Sequence, residues 1–307
     1  MPGMIAHLNI ANTILTGRSN SISQFMGAME EQVVAAYHLG CIAPDFGMYP
    51  GGLGMFSDCA HYMRTGELCK KLLEYGETSK ITRAFACGWI SHYWADRMIH
   101  PMINEEAGLR VKGSREKPIA YAENPEAHVA VELGLDASLV SEGYELKIPS
   151  AHTLELVKDL LSAAYLDVYG IELRAGIEKT ISAFLQWHKV WRSVAIWHAA
   201  EVYGTRPGVT PATRLLFRTA RLLSKVLPSP YMLKGAFRVY EPTKWLRDSF
   251  ANETEGLVAT FARTDFSKLE FHDLNLDTGR HDQGTYPLAL SLVETVRRLQ
   301  LTQKSIR

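Results

Sequence analysis

His92, Asp96 and His100 follow one another at four-residue steps in GWISHYWADRMIHP, and PEAHVAVELGLD repeats the step with His128 and Glu132. Side chains four apart on an α-helix stand on one face, one above the other. The first segment therefore aims an imidazole, a carboxylate and a second imidazole into one space, and the second adds another imidazole and carboxylate. A lone histidine among aromatic residues reads as a hydrogen-bonded core residue. Two successive helical segments carrying nitrogen and carboxylate donors read as metal-binding faces, and this mix of donors suits zinc.

Helical periodicity dominates elsewhere, and alternating strand-like patterns are scarce. Helices are expected at 5–16, 21–39, 56–65, 68–76, 80–100, 127–133, 153–168, 173–203, 211–226 and 288–301. Pro101 disfavours α geometry at His100, so the helix carrying His92 is expected to end or kink there, turning His100 toward a different ion from His92. The glycine-rich stretch 47–54 has no GK[ST] after it and is not a phosphate-binding loop. It reads as a flexible rim over the site.

With 307 residues, 47% of them hydrophobic, the chain can bury a substantial core, as one large domain or a domain with an appendage. We expect a helical domain over 1–205 and a partly helical extension over 206–307. Lys and Arg number 33, as do Asp and Glu, so no basic excess attracts nucleic acid. Cys41, Cys59, Cys69 and Cys87 form no CxxC pair, and MPGMIAHLNI has neither a charged n-region nor a cleavage site after an apolar core. The expectation is a cytoplasmic protein with reduced, buried thiols. No apolar run approaches the roughly 20 residues that span a bilayer.

Further donors lie upstream: His7 in HLNIANTIL, Asp45 in GCIAPDFGMYPGG and His61 in SDCAHYM. From Met1 to about Asp136 the order is an early His, an Asp in a Pro-Asp loop, a His, a helical His-x3-Asp-x3-His-Pro and a His-x3-Glu. This order resembles the zinc-dependent phospholipase C family, a group that includes the catalytic domain of glycosylphosphatidylinositol-specific phospholipase D and, distantly, the tri-zinc single-strand nucleases. The resemblance implies an all-α, multi-helix bundle around a multinuclear zinc site of two or three ions. It implies that Asp45, His61, His92 and Asp96 hold one zinc, and that His100, His128 and Glu132 hold a second. His7 and a bridging Asp96 would hold a third, completed in the family by the amino group and carbonyl of the mature N-terminal residue. Removal of Met1 would supply that amine.

The chemistry implied is hydrolysis of a phosphate ester. Zinc neutralises the anionic oxygens and lowers the pKa of bound water toward about 7, and the metal-bound hydroxide attacks phosphorus. Asp45 is the residue expected to orient or deprotonate that water, with Asp58 as the alternative. Asp136 continues the face of His128 and Glu132 by one turn and reads equally as a residue supporting the ligands or as a solvated carboxylate. The expected substrate is a small-molecule or lipid phosphoester. A cytoplasmic relative acting on a soluble metabolite and a non-catalytic, zinc-stabilised binding protein are the alternatives.

Two segments lie outside this pattern. His188 and His198, among Trp187, Trp191 and Trp197, are about 15 Å apart along a helix and read as packing residues. The stretch 202–240 contains no Asp or Glu. In it, Arg214, Arg218, Arg221 and Lys225 make a basic stripe beside Leu215, Leu216, Leu222, Leu223 and Val226. The favoured reading is a solvated basic face over an apolar core, and the alternative is contact of 206–238 with an anionic membrane or a phosphorylated substrate.

Overall fold

A computed structural model describes residues 3–17, 21–26, 30–144, 151–204, 209–226, 231–263, 269–281 and 294–300. Its helices are α1 (Met4–Thr16), α2 (Ser21–Met26), α3 (Glu31–Ile42), α4 (Gly54–Tyr62), α5 (Thr65–Gly76), α6 (Lys80–Lys112), α7 (Pro125–Ser141), α8 (Ala151–Tyr169), α9 (Arg174–Tyr203), α10 (Pro211–Val226), α11 (Tyr231–Ala236) and α12 (Lys244–Arg263), with a 3-10 helix at Ala43–Met48. The described residues contain no strand, only an isolated bridge between Asn275 and Arg280. The all-α expectation holds.

Several elements depart from the sequence pattern, among them α7, which runs on to Ser141, and α11, which the pattern did not mark. Glu30 is extended (φ −63°, ψ 150°), so α3 begins afresh at Glu31 and 21–39 is not one helix. The helix expected to end or kink at His100 runs on through Pro101 to Lys112. Proline removes one amide donor from the ladder, but Met102, Ile103 and Ala107 beyond it are buried, and their packing holds the helix together. The unexpected α12 buries Leu246, Phe250, Leu257 and Phe261, with Thr254 taking the stripe's middle position and hiding its period. Residues 294–300 are helical, and the remainder of the helix expected at 288–301 lies outside the described residues.

The chain forms two compact units. One comprises Met1–Asn9, Ile99–Leu146 and His188–Glu253; the other comprises Ile10–Met98, Lys147–Trp187 and Thr254–Arg307. At the centre of the first is α7, buried at every residue from Ala127 to Leu139. Its start is written in the sequence: the Asn124 side chain accepts from the Ala127 amide at 3.0 Å, and Pro125 supplies the preset φ of a first helical turn. The buried Glu106 carboxylate accepts from Tyr240 Oη (2.7 Å) and the Thr243 amide (2.9 Å) and pairs with Arg115 (3.2 Å). On α10, Phe217 stacks on Trp197 while Leu215, Leu216, Leu222 and Leu223 are exposed. The reading of those leucines as the cover of an apolar core is therefore corrected: α10 docks by a narrower face. His188 and His198 are buried as expected, with His198 Nε2 2.7 Å from the Ala236 carbonyl.

In the second unit α3 and α6 cross at two glycines. A Cβ on Gly40 would lie 2.0 Å from the Phe85 carbonyl oxygen, and one on Gly88 would lie 2.0 Å from that of Tyr37. Only glycine permits backbones this close. Beside the crossing, α8 secures α4: the Phe56 and Tyr165 rings stack at 4.9 Å, and Tyr169 Oη donates to the Cys59 and Met63 carbonyls (3.1 and 2.8 Å), which close the last turn of α4. The segment 47–54 is tied down, contrary to its reading as a flexible rim. The Gly47 amide donates to Ser57 Oγ (2.9 Å) and the Leu53 amide to Thr180 Oγ1 (3.0 Å).

Replacing Gly88 with alanine forces α3 and α6 apart, because the obstructing atom is backbone and cannot turn aside. The expected loss of stability is about 3 kcal/mol or more, at the upper end of overpacking effects. Thermal or denaturant unfolding of Gly88→Ala checks this, and an unchanged midpoint contradicts the crossing.

Candidate metal centre

In the second unit, Asp45 on the 3-10 helix, His61 on α4, and His92 and Asp96 on α6 present ligand atoms to one another. His61 Nε2 lies 3.3 Å from Asp45 Oδ1, 3.1 Å from Asp96 Oδ2 and 3.2 Å from His92 Nε2, and His92 Nε2 lies 3.0 Å from Asp96 Oδ2. All four residues are buried. Asp45 does not stand in an open Pro-Asp loop: the 3-10 helix continues from α3, with Pro44 in its first turn. Four donors around a zinc at about 2.0–2.1 Å stand about 3.3 Å from each other in a tetrahedron, and the four separations given above, 3.0 to 3.3 Å, are close to that spacing.

The first unit holds a second group. Glu132 Oε1 lies 3.1 Å from His128 Nε2 and 3.4 Å from His100 Nε2, and all three residues are buried. One ligand atom from each of Asp45, His61 and His92 lies within 4.8 Å of the other two, and the same holds within the set His100, His128 and Glu132. The residues present thus fit zinc in number, type and spacing.

What the other ring nitrogens do is more telling than the donor count. His61 Nδ1 is 2.7 Å from the Ser57 carbonyl, His92 Nδ1 is 2.9 Å from the Cys41 carbonyl, and His128 Nδ1 is 3.1 Å from Asn104 Oδ1. These oxygens accept, so each Nδ1 carries a proton and donates. Each Nε2 then faces its group, where it offers a lone pair once free of a proton, the arrangement by which metal-ligating histidines are oriented. Asn104 was not singled out from sequence, although it extends the series His92, Asp96, His100 by one more step of four. The Cys41 carbonyl left no signal at all, since only the glycine crossing brings α3 to His92.

His7 is buried on α1. Asp136 is not a solvated carboxylate: it is buried, and its oxygens accept from the Ala6 and Ile5 amides at 2.9 and 3.3 Å, capping the first turn of α1. The N-terminal residue expected to complete a third zinc site lies outside the described residues. Burial raises the half-buried Asp58 carboxyl to about 6, with His61 acting against it. The four cysteines are free and buried, as expected.

Burial acts to lower the pKa of His61, but its hydrogen bonds with Asp45 and Asp96 and their negative charge outweigh it and raise the imidazole to about 10. Without metal, a proton therefore fills the place of the cation. Relative to an unfolded value of about 6.5, this raised pKa contributes stability that is full below about 6.5 and lost as pH rises through about 10. Zinc must displace that proton. Zinc uptake near neutral pH is expected to release a proton from this group, and apparent affinity to rise with pH. Titration calorimetry in buffers of different ionisation enthalpy measures the release, and a heat independent of buffer contradicts it.

Comparison with known families adds a single result. Residues 6–188 match the family described as zinc dependent phospholipase C, a zinc-dependent family. No curated protein and no solved structure matches the chain. The family match spans more than half of the 307 residues and includes both donor groups and His7, and on that ground the chain belongs to the zinc-dependent phospholipase C family.

Proposed function

We propose that the protein is a zinc-dependent hydrolase of phosphate esters, of phospholipase C type, holding at least two zinc ions. Asp45, His61, His92 and Asp96 hold one ion, and His100, His128 and Glu132 hold another. The observation that carries this reading is the orientation of His61, His92 and His128, each donating through Nδ1 to an oxygen and presenting Nε2 to carboxylates. Membership of a zinc-dependent phospholipase family supports the reaction class.

When bound, zinc supplies neutralisation of the phosphate oxygens and acidification of a water toward a pKa of about 7. The chain's own residues do the rest. Asp45 follows Pro44 in a short 3-10 helix and is fixed from one side by His61. It is the carboxylate we assign to orienting the attacking water and taking its proton. Asp96 is a charge-balancing ligand: it faces both His61 and His92 at about hydrogen-bond distance, so its anionic form offsets a cation held there. Asp58, with a carboxyl raised to about 6, is the alternative base.

Elemental analysis of the purified protein is expected to find two or more zinc ions per chain. Assayed against a phosphatidylcholine, a water-soluble phosphodiester and a phosphomonoester, it should hydrolyse at least one. The Asp45→Asn variant should keep its helical content and the zinc of His100, His128 and Glu132, while turnover falls about 100-fold or more, the scale of a lost general base. Near-normal turnover in that variant, with loss in Asp58→Asn, transfers the role to Asp58. A zinc-loaded protein that hydrolyses none of the three removes the proposal in favour of a binding role.

A further inference from the structure

The helix α10 has a surface that its place in the fold does not use. Phe217, Ala220 and Ser224 lie at steps of three and four and are half-buried, and the Phe217 ring stacks on Trp197 at 5.4 Å. That narrow face docks the helix. Leu215, Leu216, Leu222 and Leu223 are instead 68, 65, 63 and 50% exposed, the most exposed large apolar side chains among the described residues. Single exposed leucines need no explanation, but four on one short helix do. Alongside them run Arg214, Arg218 and Arg221 on the adjoining face. Arg218 pairs with Glu201 at 3.0 Å.

At the foot of the same helix is a cavity of about 470 Å³, lined by Arg110, Arg221, Lys234 and Arg238 with Ser224 and Phe237 among its other walls. Four cations face one carboxylate, Glu126, which Arg238 already engages. Arg110 lies over the Tyr240 ring at 4.6 Å, and its buried Nη1 has no hydrogen-bond acceptor among the described residues. Burial, to which Arg238 adds, lowers its pKa. A buried guanidinium donor without an acceptor, among further cations, is the chemistry of an anion site, and a phosphate offers acceptors to several such donors at once.

We propose that α10 and this cavity form a docking surface for an anionic phospholipid bilayer, the exposed leucines entering the headgroup and acyl boundary and the cavity receiving a lipid phosphate. The charge and the apolar side chains select this occupant together. A second copy of the chain would bring the same cations face to face, whereas an anionic bilayer offers both a negative surface and an apolar layer beneath it. Neither component belongs to the zinc groups, so docking is separable from turnover.

The test is co-sedimentation of the zinc-loaded full chain with phosphatidylcholine vesicles, with and without phosphatidylserine. Binding is expected with the anionic vesicles and should weaken as salt rises. Replacing all four exposed leucines with serine should weaken it about tenfold or more, and Arg110→Gln with Arg221→Gln should remove most of the preference for anionic lipid. Both variants should retain wild-type circular dichroism and zinc content, since none of these residues is a ligand. As a second readout, the fluorescence of Leu222→Trp should shift to the blue on adding anionic vesicles. Equal binding to neutral and anionic vesicles, a serine variant that binds like wild type, or an unshifted Leu222→Trp emission overturns the proposal. So does a wild-type dimer that the serine variant dissociates, or binding of inorganic phosphate in the cavity without any binding to vesicles.

Discussion

Carboxylates and imidazoles buried together need a cation. Asp45 and Asp96 are almost fully shielded from water and face His61 and His92 within about hydrogen-bond distance, and an ionised carboxylate in such surroundings is tolerated only when paired. Were His61 and His92 both neutral, with their Nδ1 protons given to backbone carbonyls, two Nε2 lone pairs would oppose each other at 3.2 Å. A proton on His61 resolves this at the cost of one direct link. A divalent cation resolves it more completely, because it draws every lone pair in the group to one point. The same logic applies to His100, His128 and Glu132, where Asn104 takes the part that a backbone carbonyl takes for His92.

The fold serves this demand with rigid elements. His92 is oriented by the Cys41 carbonyl, which reaches it because Gly40 and Gly88 let α3 and α6 pack backbone against backbone. His61 stands in a last helical turn whose carbonyls are closed by Tyr169. His128 and Glu132 ride on a helix buried on all sides and started by an asparagine cap and a proline. Ligands on buried helices with capped ends hold position without the metal, and this pre-organisation lets a zinc ion select its geometry rather than impose it.

Much of this was legible in the sequence, for a definite reason: a helix of period 3.6 places donors four apart on one face, so His92, Asp96, His100, His128 and Glu132 announce themselves. The helix boundaries of α10 were legible too, between the proline at 211 and the loss of pattern after 226. Tertiary effects were not. Pro101 argued for an end that buried packing beyond it overrode, and Thr254 in the buried stripe of α12 concealed a helix. The amphipathic pattern of α10 gave the right helix but not its orientation, because nothing in a single sequence says whether leucines face a core or the outside. Asp136 was ambiguous for the same reason until the α1 amides appeared beside it.

Zinc K-edge X-ray absorption on the protein purified with its own metal tests the central claim most directly. The expected spectrum has nitrogen and oxygen neighbours at about 2.0–2.1 Å, with the outer scattering of imidazole rings and no sulfur. A sulfur shell near about 2.3 Å would place zinc on cysteine, and that result, or a protein that retains no zinc at all, would contradict the assignment.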